Sequence, residues 1–475
     1  MLFAERAWLG AETGIATGVL ISHDDRGEIT EVRTGVDAAS YPSAVLLGGD
    51  VCLPGFVNAH SHAFHRALRG VSETRSGDFW TWRELMYSVA GRLDPDSYRS
   101  LAELVYAEML LAGYTAVGEF HYLHHGAAGV PYSDPNSMGI ALIDAASAAG
   151  IRLTLLDACY LQAGVDGSPL SGVQLRFGDG SGERWSERFS QLSQLSQSAT
   201  ASRRLGVAIH SVRAVPRPAM GTVIAVAHSN ELPLHVHLSE QRRENEECLK
   251  VVGLTPTDLL ASVGALTGGT TAVHATHLTA SDLTRLGLAR CGVCACPTTD
   301  RDLGDGVGQF AELAEAGAVL SIGSDSHAVI DPFEETRAVE LNSRLFEERR
   351  GLWKVSALLS AATLGGARAL GWPSGGLAVG GLADLVSVRL DSVRLAGASL
   401  GLASASASAS ASASDPAADE ALLARVVFGA GAADVDTVVV GGKVMVQGGE
   451  HVTLGSPRRV AERLGQAVGV ALGVD

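Results

Sequence analysis

Apolar and polar residues alternate along the chain in two different patterns. From about residue 51 to 375, apolar runs rich in β-branched residues recur, and each is followed by a stretch with helical spacing. The eight runs are VCLPGFVNAH, YTAVGEF, IRLTLLDACY, LGVAIHSV, LPLHVHLS, TTAVHATH, CGVCACP and AVLSIGSDS. Stretches such as PDSYRSLAELVYAEMLLAG predict the helices, and Gly113 follows that one as a stop signal. Because strands that alternate with helices pair in parallel and eight such units close a barrel, we predict an α/β fold with a (β/α)8 TIM-like barrel over residues 51–375.

The segments on either side of this region contain short strands without intervening helices. Residues 1–50 include TGVLISHD and AVLLGGD, and residues 376–475 include GGLADLVSVRL and DVDTVVVGGKVMVQGG. We predict that the two chain ends build one small β-sandwich beside the barrel, followed by a terminal helix. Residues 403–414 alternate alanine and serine and offer no large side chain for a core, so this tract is predicted to be a disordered insertion without function.

Composition narrows the possible partners and the location of the protein. The 475 residues are 46% hydrophobic, enough for a large core, and the formal net charge of -16 disfavours a nucleic acid or an anionic membrane as a partner. The sequence has no run of about 18 apolar residues that would span a membrane, and the start MLFAERAWLG does not resemble a signal peptide. We therefore expect a cytoplasmic protein. The six cysteines include one C-x-x-C, in CGVCAC, without the second pair of a zinc ribbon, so we expect a buried strand with free thiols.

Histidines and carboxylates collect where the predicted strands end, which is where barrel enzymes place their chemistry. His60 and His62 end the first strand, and their i, i+2 spacing directs both side chains to one face. Four further candidates are His237 and Glu240 at the end of the fifth strand, His274 on the sixth and Asp325 at the end of the eighth. Each residue alone is more typical of a satisfied polar contact or a turn. Together, however, imidazoles and one carboxylate form a common ligand set for zinc with a position open for water, so the joint pattern predicts a catalytic metal site.

Eight stretches of the sequence are similar to the amidohydrolase superfamily. They are NAHSHAFHRAL, FWTWRELMY, AGYTAVGEFHYLHH, HSVRAVP, HLSEQ, VHATH, LGDG and GSDSH, and they span about residues 50 to 350. HSH and GSDSH are typical of the whole superfamily, whereas FWTWRE and EFHYLHH resemble its formimidoylglutamate deiminase family. That family converts N-formimidoyl-L-glutamate to N-formyl-L-glutamate and ammonia in histidine degradation. The sequence departs from that family in two places: His65 stands where glutamine is usual, and the stretch TTDRDLGDG, with Asp300 and Arg301, stands where the family has TTEANLGDG.

The resemblance implies a role for each candidate residue and one zinc ion per chain. The zinc ligands that it implies are His60, His62, His237 and Asp325, and the catalytic groups are Glu240, His274 and Asp325. The substrate contacts that it implies are His65, Arg83, Tyr122, His210 and Arg213, with the arginines facing the two substrate carboxylates; His65 is equally compatible with a loop role. Many superfamily members bridge two metals with a carboxylated lysine on the fourth strand, but no lysine precedes Lys250 here, which implies a mononuclear site. The resemblance also implies a homodimer.

Two other functions remain compatible with the sequence. One is another mononuclear zinc aminohydrolase that acts on a purine, pyrimidine or triazine ring, because FWTWRE offers aromatic walls as well as an arginine. The other is an inactive barrel that serves as a scaffold, although the intact ligand set together with Glu240 and His274 argues against it. Ammonia release from N-formimidoyl-L-glutamate, compared with guanine, cytosine and adenosine, discriminates between the two enzymes, and a metal assay separates both from the scaffold.

Overall fold

The computed structural model describes residues 1–72, 77, 79–196, 202–373, 376–397 and 416–474. Its strands, in chain order, are β1 (Leu2–Trp8), β2 (Ile15–His23), β3 (Ile29–Arg33), β4 (Val45–Leu46), β5 (Val51–Pro54), β6 (Phe56–Ser61), β7 (Tyr114–His121), β8 (Arg152–Cys159), β9 (Arg203–Ser211), β10 (Leu234–Leu238), β11 (Thr270–His274), β12 (Gly292–Ala295), β13 (Val319–Ile322), β14 (Leu385–Val388), β15 (Val435–Val440), β16 (Lys443–Gln447) and β17 (Glu450–His451). The alanine–serine tract at 403–414 lies outside the described residues. Within the ranges given above, no helix is long and apolar enough to cross a membrane.

Strands β6 to β13 form the predicted barrel. They lie side by side in chain order, and every neighbouring pair is parallel. The first and eighth strands of the barrel meet through a parallel bridge between Ser61 and Asp325. There the amide of Asp325 donates to the carbonyl of His60 at 3.0 Å, and the amide of His62 donates to the carbonyl of Asp325 at 3.2 Å. The predicted (β/α)8 fold is therefore confirmed.

At least one helix follows each barrel strand. These helices are α1 (Phe79–Arg92), α2 (Pro95–Ala112), α3 (Ser137–Ala149), α4 (Gly182–Ser196), α5 (Arg217–Ser229), α6 (Arg242–Val252), α7 (Pro256–Ser262), α8 (Ala280–Leu288), α9 (Pro297–Leu303), α10 (Phe310–Glu315), α11 (Pro332–Glu347), α12 (Val355–Ser360) and α13 (Gly366–Ala369). Helix α2 shows why they form where they do. Asp94 and Ser97 make a capping box around Pro95 at its start, and Gly113 ends it with φ of +106°, as the sequence predicted.

The two chain ends share a nine-stranded mixed sheet beside the barrel. Its order is β17-β16-β15-β14-β5-β1-β2-β3, with β4 paired to β1, so the C-terminal strands form one half of the sheet, the N-terminal strands form the other, and the halves meet where β14 pairs with β5. The C-terminal part also contributes two helices that pack on helices of the barrel: α14 (Pro416–Gly429) contacts α11 and α12, and α15 (Pro457–Leu472), the predicted terminal helix, contacts α2. The sheet has its own cluster of buried apolar residues, which includes Leu2, Ile21 and Val439. The predicted domain boundaries, 1–50, 51–375 and 376–475, remain a prediction.

The predicted first barrel strand, VCLPGFVNAH, is in fact two strands that belong to different sheets. Val51–Pro54 pairs with β1 and antiparallel to β14 in the mixed sheet, and Phe56–Ser61 opens the barrel. The chain passes between the sheets at Gly55, where a Cβ atom would lie 2.2 Å from Oγ1 of Thr115. Both halves are fully buried, so the apolar pattern continues across the junction and does not reveal it.

A buried ion pair joins the barrel to the mixed sheet. Arg152, at the start of β8, is 1% exposed. Its Nε donates to Oδ2 of Asp384 at 2.6 Å, and its Nη2 donates to Oδ1 of the same carboxylate at 3.1 Å. The amide of Gly441 donates to the same carboxylate at 2.6 Å. Planar, bidentate pairing of this kind fixes orientation as well as distance. The end of the barrel opposite the candidate site is thereby anchored to strands from the C-terminal part of the chain.

All six cysteines are buried free thiols, as expected from the sequence. Cys294 lies in the short strand β12, and Cys291 and Cys296 lie on either side of it. Burial raises the pKa of Cys291 to about 12, so this thiol has little tendency to ionise. The CGVCAC stretch therefore serves packing.

Candidate functional site

The eleven candidate residues gather at the carboxyl ends of the barrel strands. Ten of them line one cavity: His62, His65, Arg83, Tyr122, His210, Arg213, His237, Glu240, His274 and Asp325. His60 lies beneath them and has no exposed surface. His274 and Asp325 adopt backbone φ values of +67° and +40°, in the left-handed region that residues with a Cβ rarely occupy. Backbone strain of this kind concentrates at functional sites, where the surrounding structure maintains it.

Three imidazoles and one carboxylate converge as a candidate metal centre. The Nε2 atom of His60 lies 3.2 Å from Oδ1 of Asp325 and 3.0 Å from Nε2 of His237. The Nε2 atom of His62 lies 3.4 Å from the same Asp325 oxygen. His274 is close as well, with Nε2 3.9 Å from Oδ2 of Asp325. Ligand atoms of His60, His237, His274 and Asp325 all lie within 4.8 Å of one another, and those of His62, His65 and Asp325 form a second such group that shares the aspartate. Three of the four implied ligands therefore converge together with His274, and the fourth, His62, joins them through Asp325.

The tautomers of two histidines test whether a cation fits this place. Nδ1 of His62 faces the carbonyl of Phe120 at 2.9 Å, and Nδ1 of His237 faces the carbonyl of His210 at 2.9 Å. A carbonyl only accepts hydrogen bonds, so both Nδ1 atoms carry the proton and both Nε2 atoms present a lone pair. Burial lowers the pKa of His62 to about 3, so this ring stays neutral although it faces a carboxylate. The lone pair on Nε2 of His62 and the Asp325 oxygen lie 3.4 Å apart and repel each other. A divalent cation bound between them removes that repulsion.

His274 and Glu240 form an acidic–basic pair beside the metal centre. Nδ1 of His274 lies 3.2 Å from Oδ1 of Asp300, and its Nε2 lies 3.7 Å from Oε1 of Glu240. Burial opposes the charged form of His274, but the carboxylates of Glu240, Asp300 and Asp325 outweigh it and raise the pKa of His274 well above its ordinary value. Burial also raises the pKa of Glu240 to about 7, although His274 and Arg213 oppose this rise. Glu240 can therefore hold or release a proton near neutral pH, whereas His274 holds its proton there.

Arg213 and Arg83 bring positive charge into a cavity of an otherwise acidic protein. Arg213 is 9% exposed; its Nε donates to Oε2 of Glu244 at 2.5 Å, and its NH2 lies 3.8 Å from Glu240. Arg83 stacks on Trp80 with its guanidinium carbon 4.3 Å from the ring centroid. Among the residues that the structure describes, no ion pair is found for Arg83 within 4.0 Å of its nitrogens. An anionic group in the cavity thus finds one guanidinium held in place by Glu244 and one with free donors.

His65 lines the cavity through a contact with Tyr122. Its Nε2 lies 3.0 Å from the hydroxyl of Tyr122, and its ring packs edge-on against Trp82 with centroids 4.9 Å apart. His65 is 3% exposed, and Nδ1 has no hydrogen-bond partner within the described ranges. The imidazole is thus part of the buried cavity wall, which supports the first of the two roles expected for it.

Several residues of the site were not predicted as site residues. They are the cavity-lining residues Phe79, Trp82, Met86, Tyr87, Tyr160, Phe177 and Leu303, together with Glu244, Asp300 and Glu119, whose carboxylates hold other site residues. The stretch FWTWRELMY contained a usable signal: Phe79, Trp82 and Met86 recur at helical spacing beside Arg83, so one face of α1 could have been assigned to the cavity. Glu244 lies one turn after Glu240, close to Arg213 only in the folded chain.

The chain matches the model of the amidohydrolase family over residues 51–445. It is 39% identical over 462 residues to a formimidoylglutamate deiminase from Pseudomonas aeruginosa, a match that covers 95% of each chain. Among solved structures, an amidohydrolase from Brucella melitensis has a TM-score of 0.86 and 31% identity, with 99% of both chains covered. An adenosine deaminase from Xanthomonas campestris, solved with bound zinc, shares the fold with a TM-score of 0.79 at 21% identity, covering 100% of this chain and 98% of that one. By its sequence, its barrel and the cluster of histidines and aspartate at the strand ends, the chain belongs to the amidohydrolase family.

Proposed function

We propose that this protein hydrolyses N-formimidoyl-L-glutamate to N-formyl-L-glutamate and ammonia, with one zinc ion per chain, as a step of histidine degradation. The observation that carries the proposal is the composition of one cavity, in which a His/Asp metal centre, a proton-transfer pair and two arginines face the same space. The 39% identity to the Pseudomonas aeruginosa deiminase supports it. The implied homodimer and the cytoplasmic location stay predictions.

The proposed ligands are His60, His62, His237 and Asp325. When bound in such a site, zinc acts as a Lewis acid and activates water for attack at neutral pH. The carbonyls of Phe120 and His210 hold the rings of His62 and His237 in the tautomer that a metal requires. Hydrogen bonding from His60 and charge from His60 and His274 outweigh burial and hold the pKa of Asp325 well below its ordinary range, so this carboxylate is ionised.

Proton transfer falls to Asp325, His274 and Glu240. Water adds to the amidine carbon, and Asp325, with His274 beside it, is placed to take up the proton that the water loses. Glu240 lies on the same side of the cavity, so it can pass a proton to the substrate nitrogen that leaves. As the carbon–nitrogen bond breaks, the added hydroxyl loses the second proton of the water; the leaving nitrogen receives both water protons and departs as ammonia, and the carbon retains the oxygen as a formyl group. The Nδ1–Asp300 contact keeps the Nε2 of His274 directed at this exchange.

The substrate's carboxylates match the two arginines. Arg213 has its Nε engaged by Glu244, so the free edge of its guanidinium is left for an anion. Arg83 stacks on Trp80 and has its donors available. A flat neutral ring would gain from the aromatic wall of Phe79, Trp82, Tyr87 and Tyr160, but it would offer no negative charge to Arg83 or to the edge of Arg213 that Glu244 does not occupy. This difference in charge favours a linear dicarboxylate over a purine, pyrimidine or triazine.

The test is ammonia release by the zinc-loaded protein from N-formimidoyl-L-glutamate, with guanine, cytosine and adenosine at equal concentration. We expect the dicarboxylate to have by far the highest kcat/KM. An analogue with its α-carboxylate amidated should be a poor substrate, because one guanidinium then has no charge to bind. The Glu240→Gln variant serves as the control that the ammonia arises at this site. If guanine or another ring is hydrolysed faster, the ring aminohydrolase replaces the proposed function.

A further inference from the structure

Five buried polar side chains form a hydrogen-bonded chain beside the metal centre and have no role in the proposed reaction steps. They are Asn58, Ser61, Glu119, Ser324 and His327, and each of the five is 0% exposed. We refer to them as the seam network, because they join β6 and β7 to the segment after β13. Buried polar groups without water are costly unless they are fully paired, so such a network is expected to hold one arrangement.

The hydrogen bonds of the seam network run in one direction. Nδ2 of Asn58 donates to Oγ of Ser324 at 2.6 Å, and that hydroxyl donates to Nδ1 of His327 at 2.9 Å. Nε2 of His327 then donates to Oγ of Ser61 at 3.1 Å, and Ser61 donates to Oε2 of Glu119 at 2.6 Å. A neutral His327 with its proton on Nε2 satisfies every link. The chain of donors therefore ends on the carboxylate of Glu119.

Glu119 also accepts hydrogen bonds from the residues on both sides of His62, a proposed metal ligand. Its Oε2 accepts from Ser61, and its Oε1 accepts from the amide of Ala63 at 2.7 Å, so the carboxylate spans His62. The neighbouring carbonyl of Phe120 accepts the Nδ1 proton of His62 at 2.9 Å. Two consecutive residues of β7 thus fix both the backbone and the ring of one ligand.

The network crosses the junction at which the barrel closes. His60 and His62 lie on one side of this junction and Asp325 on the other, joined through the bridge between Ser61 and Asp325. A Cβ atom at Gly323 would lie 2.8 Å from Cβ of His60, so the two strands approach as closely as a glycine allows. The Asn58–Ser324 and Ser61–His327 contacts add side-chain links across the same junction. The separation of His60 and His62 from Asp325 therefore depends on these links.

We propose that Glu119 is a positioning residue for the metal centre. As the final acceptor of the seam network, it holds His60 and His62 at ligand distance from Asp325 and so sets the affinity and the geometry of the bound metal. The proposal rests on the proposed ligand set and adds to it a residue that does not touch metal or substrate. A carboxylate is required because two donors converge on it, and an amide accepts only through its single oxygen.

The experiment compares Glu119→Gln with the parent protein and with a matched control. Glu340 on α11 is also 0% exposed and accepts from the amides of Gly351 and Trp353 at 2.9 and 3.0 Å, away from the metal centre. Zinc affinity is measured by competition with a chromogenic chelator, and the visible spectrum of the cobalt(II)-loaded protein reports the ligand geometry. We expect Glu119→Gln to weaken zinc binding by ~10- to 100-fold, the usual effect of removing a group that orients ligands, and to change the cobalt spectrum. Glu340→Gln should lower thermal stability, because it also weakens the ion pair between Glu340 and Arg344 at 2.7 Å, and it should leave both metal readouts unchanged.

Two outcomes overturn the proposal. If Glu119→Gln binds zinc as tightly as the parent and has the same cobalt spectrum, Glu119 does not position the ligands, although the proposed ligand set stands. If the parent itself binds no metal, the ligand set and this proposal fall together. Should Glu119→Gln not fold, Ser61→Ala decides in its place, because it removes one donor to Glu119 and one link across the junction. Its expected effect is a smaller loss of zinc affinity with the same direction of spectral change, and parental values would refute the proposal.

Discussion

Replacement of Arg213 by lysine tests whether a guanidinium is what the substrate needs at this position. Arg213 is 9% exposed and has a fixed partner, since its Nε donates to Glu244 at 2.5 Å. Glu244 in turn accepts the amide of Ser239 at 2.8 Å, in the loop between His237 and Glu240. Arg213 can thus hold Glu244 with one edge and a substrate carboxylate with the other.

The expected loss of kcat/KM follows from the hydrogen bonds that a lysine at position 213 cannot make. Its compact ammonium serves either Glu244 or the substrate at the required geometry, so one charge-assisted hydrogen bond is lost in either case. Such a bond contributes ~1.5–3 kcal/mol. Because 1.36 kcal/mol corresponds to a factor of ten, we expect kcat/KM for N-formimidoyl-L-glutamate to fall by about 10- to 150-fold.

The assay is steady-state ammonia release by Arg213→Lys, with metal content measured on the same sample. Metal content should stay at the parental value, because Arg213 contacts carboxylates and not the proposed ligands. Arg217→Lys is the matched control, since Arg217 is exposed at the start of α5 and should tolerate the change. A parental kcat/KM in Arg213→Lys would show that this guanidinium does not bind the substrate, and an equal loss in Arg217→Lys would show that the effect is not specific.

Three other predictions address the metal, the proton-transfer pair and the alanine–serine tract. Elemental analysis should find about one divalent metal per chain, and chelation should abolish turnover; two tightly bound metals, or full activity without metal, would contradict the mononuclear centre. Glu240→Gln and His274→Asn should keep the metal and lose at least ~100-fold in kcat, and near-parental turnover in either variant would remove that residue from proton transfer. Deletion of residues 403–414 should change neither the melting temperature nor kcat/KM appreciably, and a large drop in either would show that the tract packs or binds a partner.

The strand core of the barrel and the residues at its strand ends could be predicted from the sequence. Barrel strands such as β7 and β8 are buried along their whole length and are therefore largely apolar runs that stand out between helical stretches. The end of a parallel strand has a fixed place in such a barrel, so His237 and Asp325 could be brought together without knowledge of any contact. The same continuity concealed the passage from β5 to β6, because burial on both faces looks alike in the two sheets.

The walls of the cavity and the residues that hold the ligands could not be predicted in the same way. The cavity face of α1 depends on how the chain after β6 folds back over the barrel, and no periodicity records that path. Glu119 is a buried carboxylate within an apolar run, and its partners Ser61 and Ala63 are more than 50 positions away. A sequence pattern shows which side chains are unusual for a strand, whereas pairing depends on the register between strands.

The mixed sheet imposes an order of events on synthesis of the chain at the ribosome. Strand β5 pairs with β14, and the partners Pro54 and Leu385 are 331 positions apart. At ~5–20 residues per second, roughly 15 to 65 s pass between the emergence of one strand and of the other. All eight barrel strands are synthesised in that interval, and during it the edge of β5 that pairs with β14 stays unpaired. Termination of translation before β14 would therefore leave a nearly finished barrel with an edge that can pair with another chain.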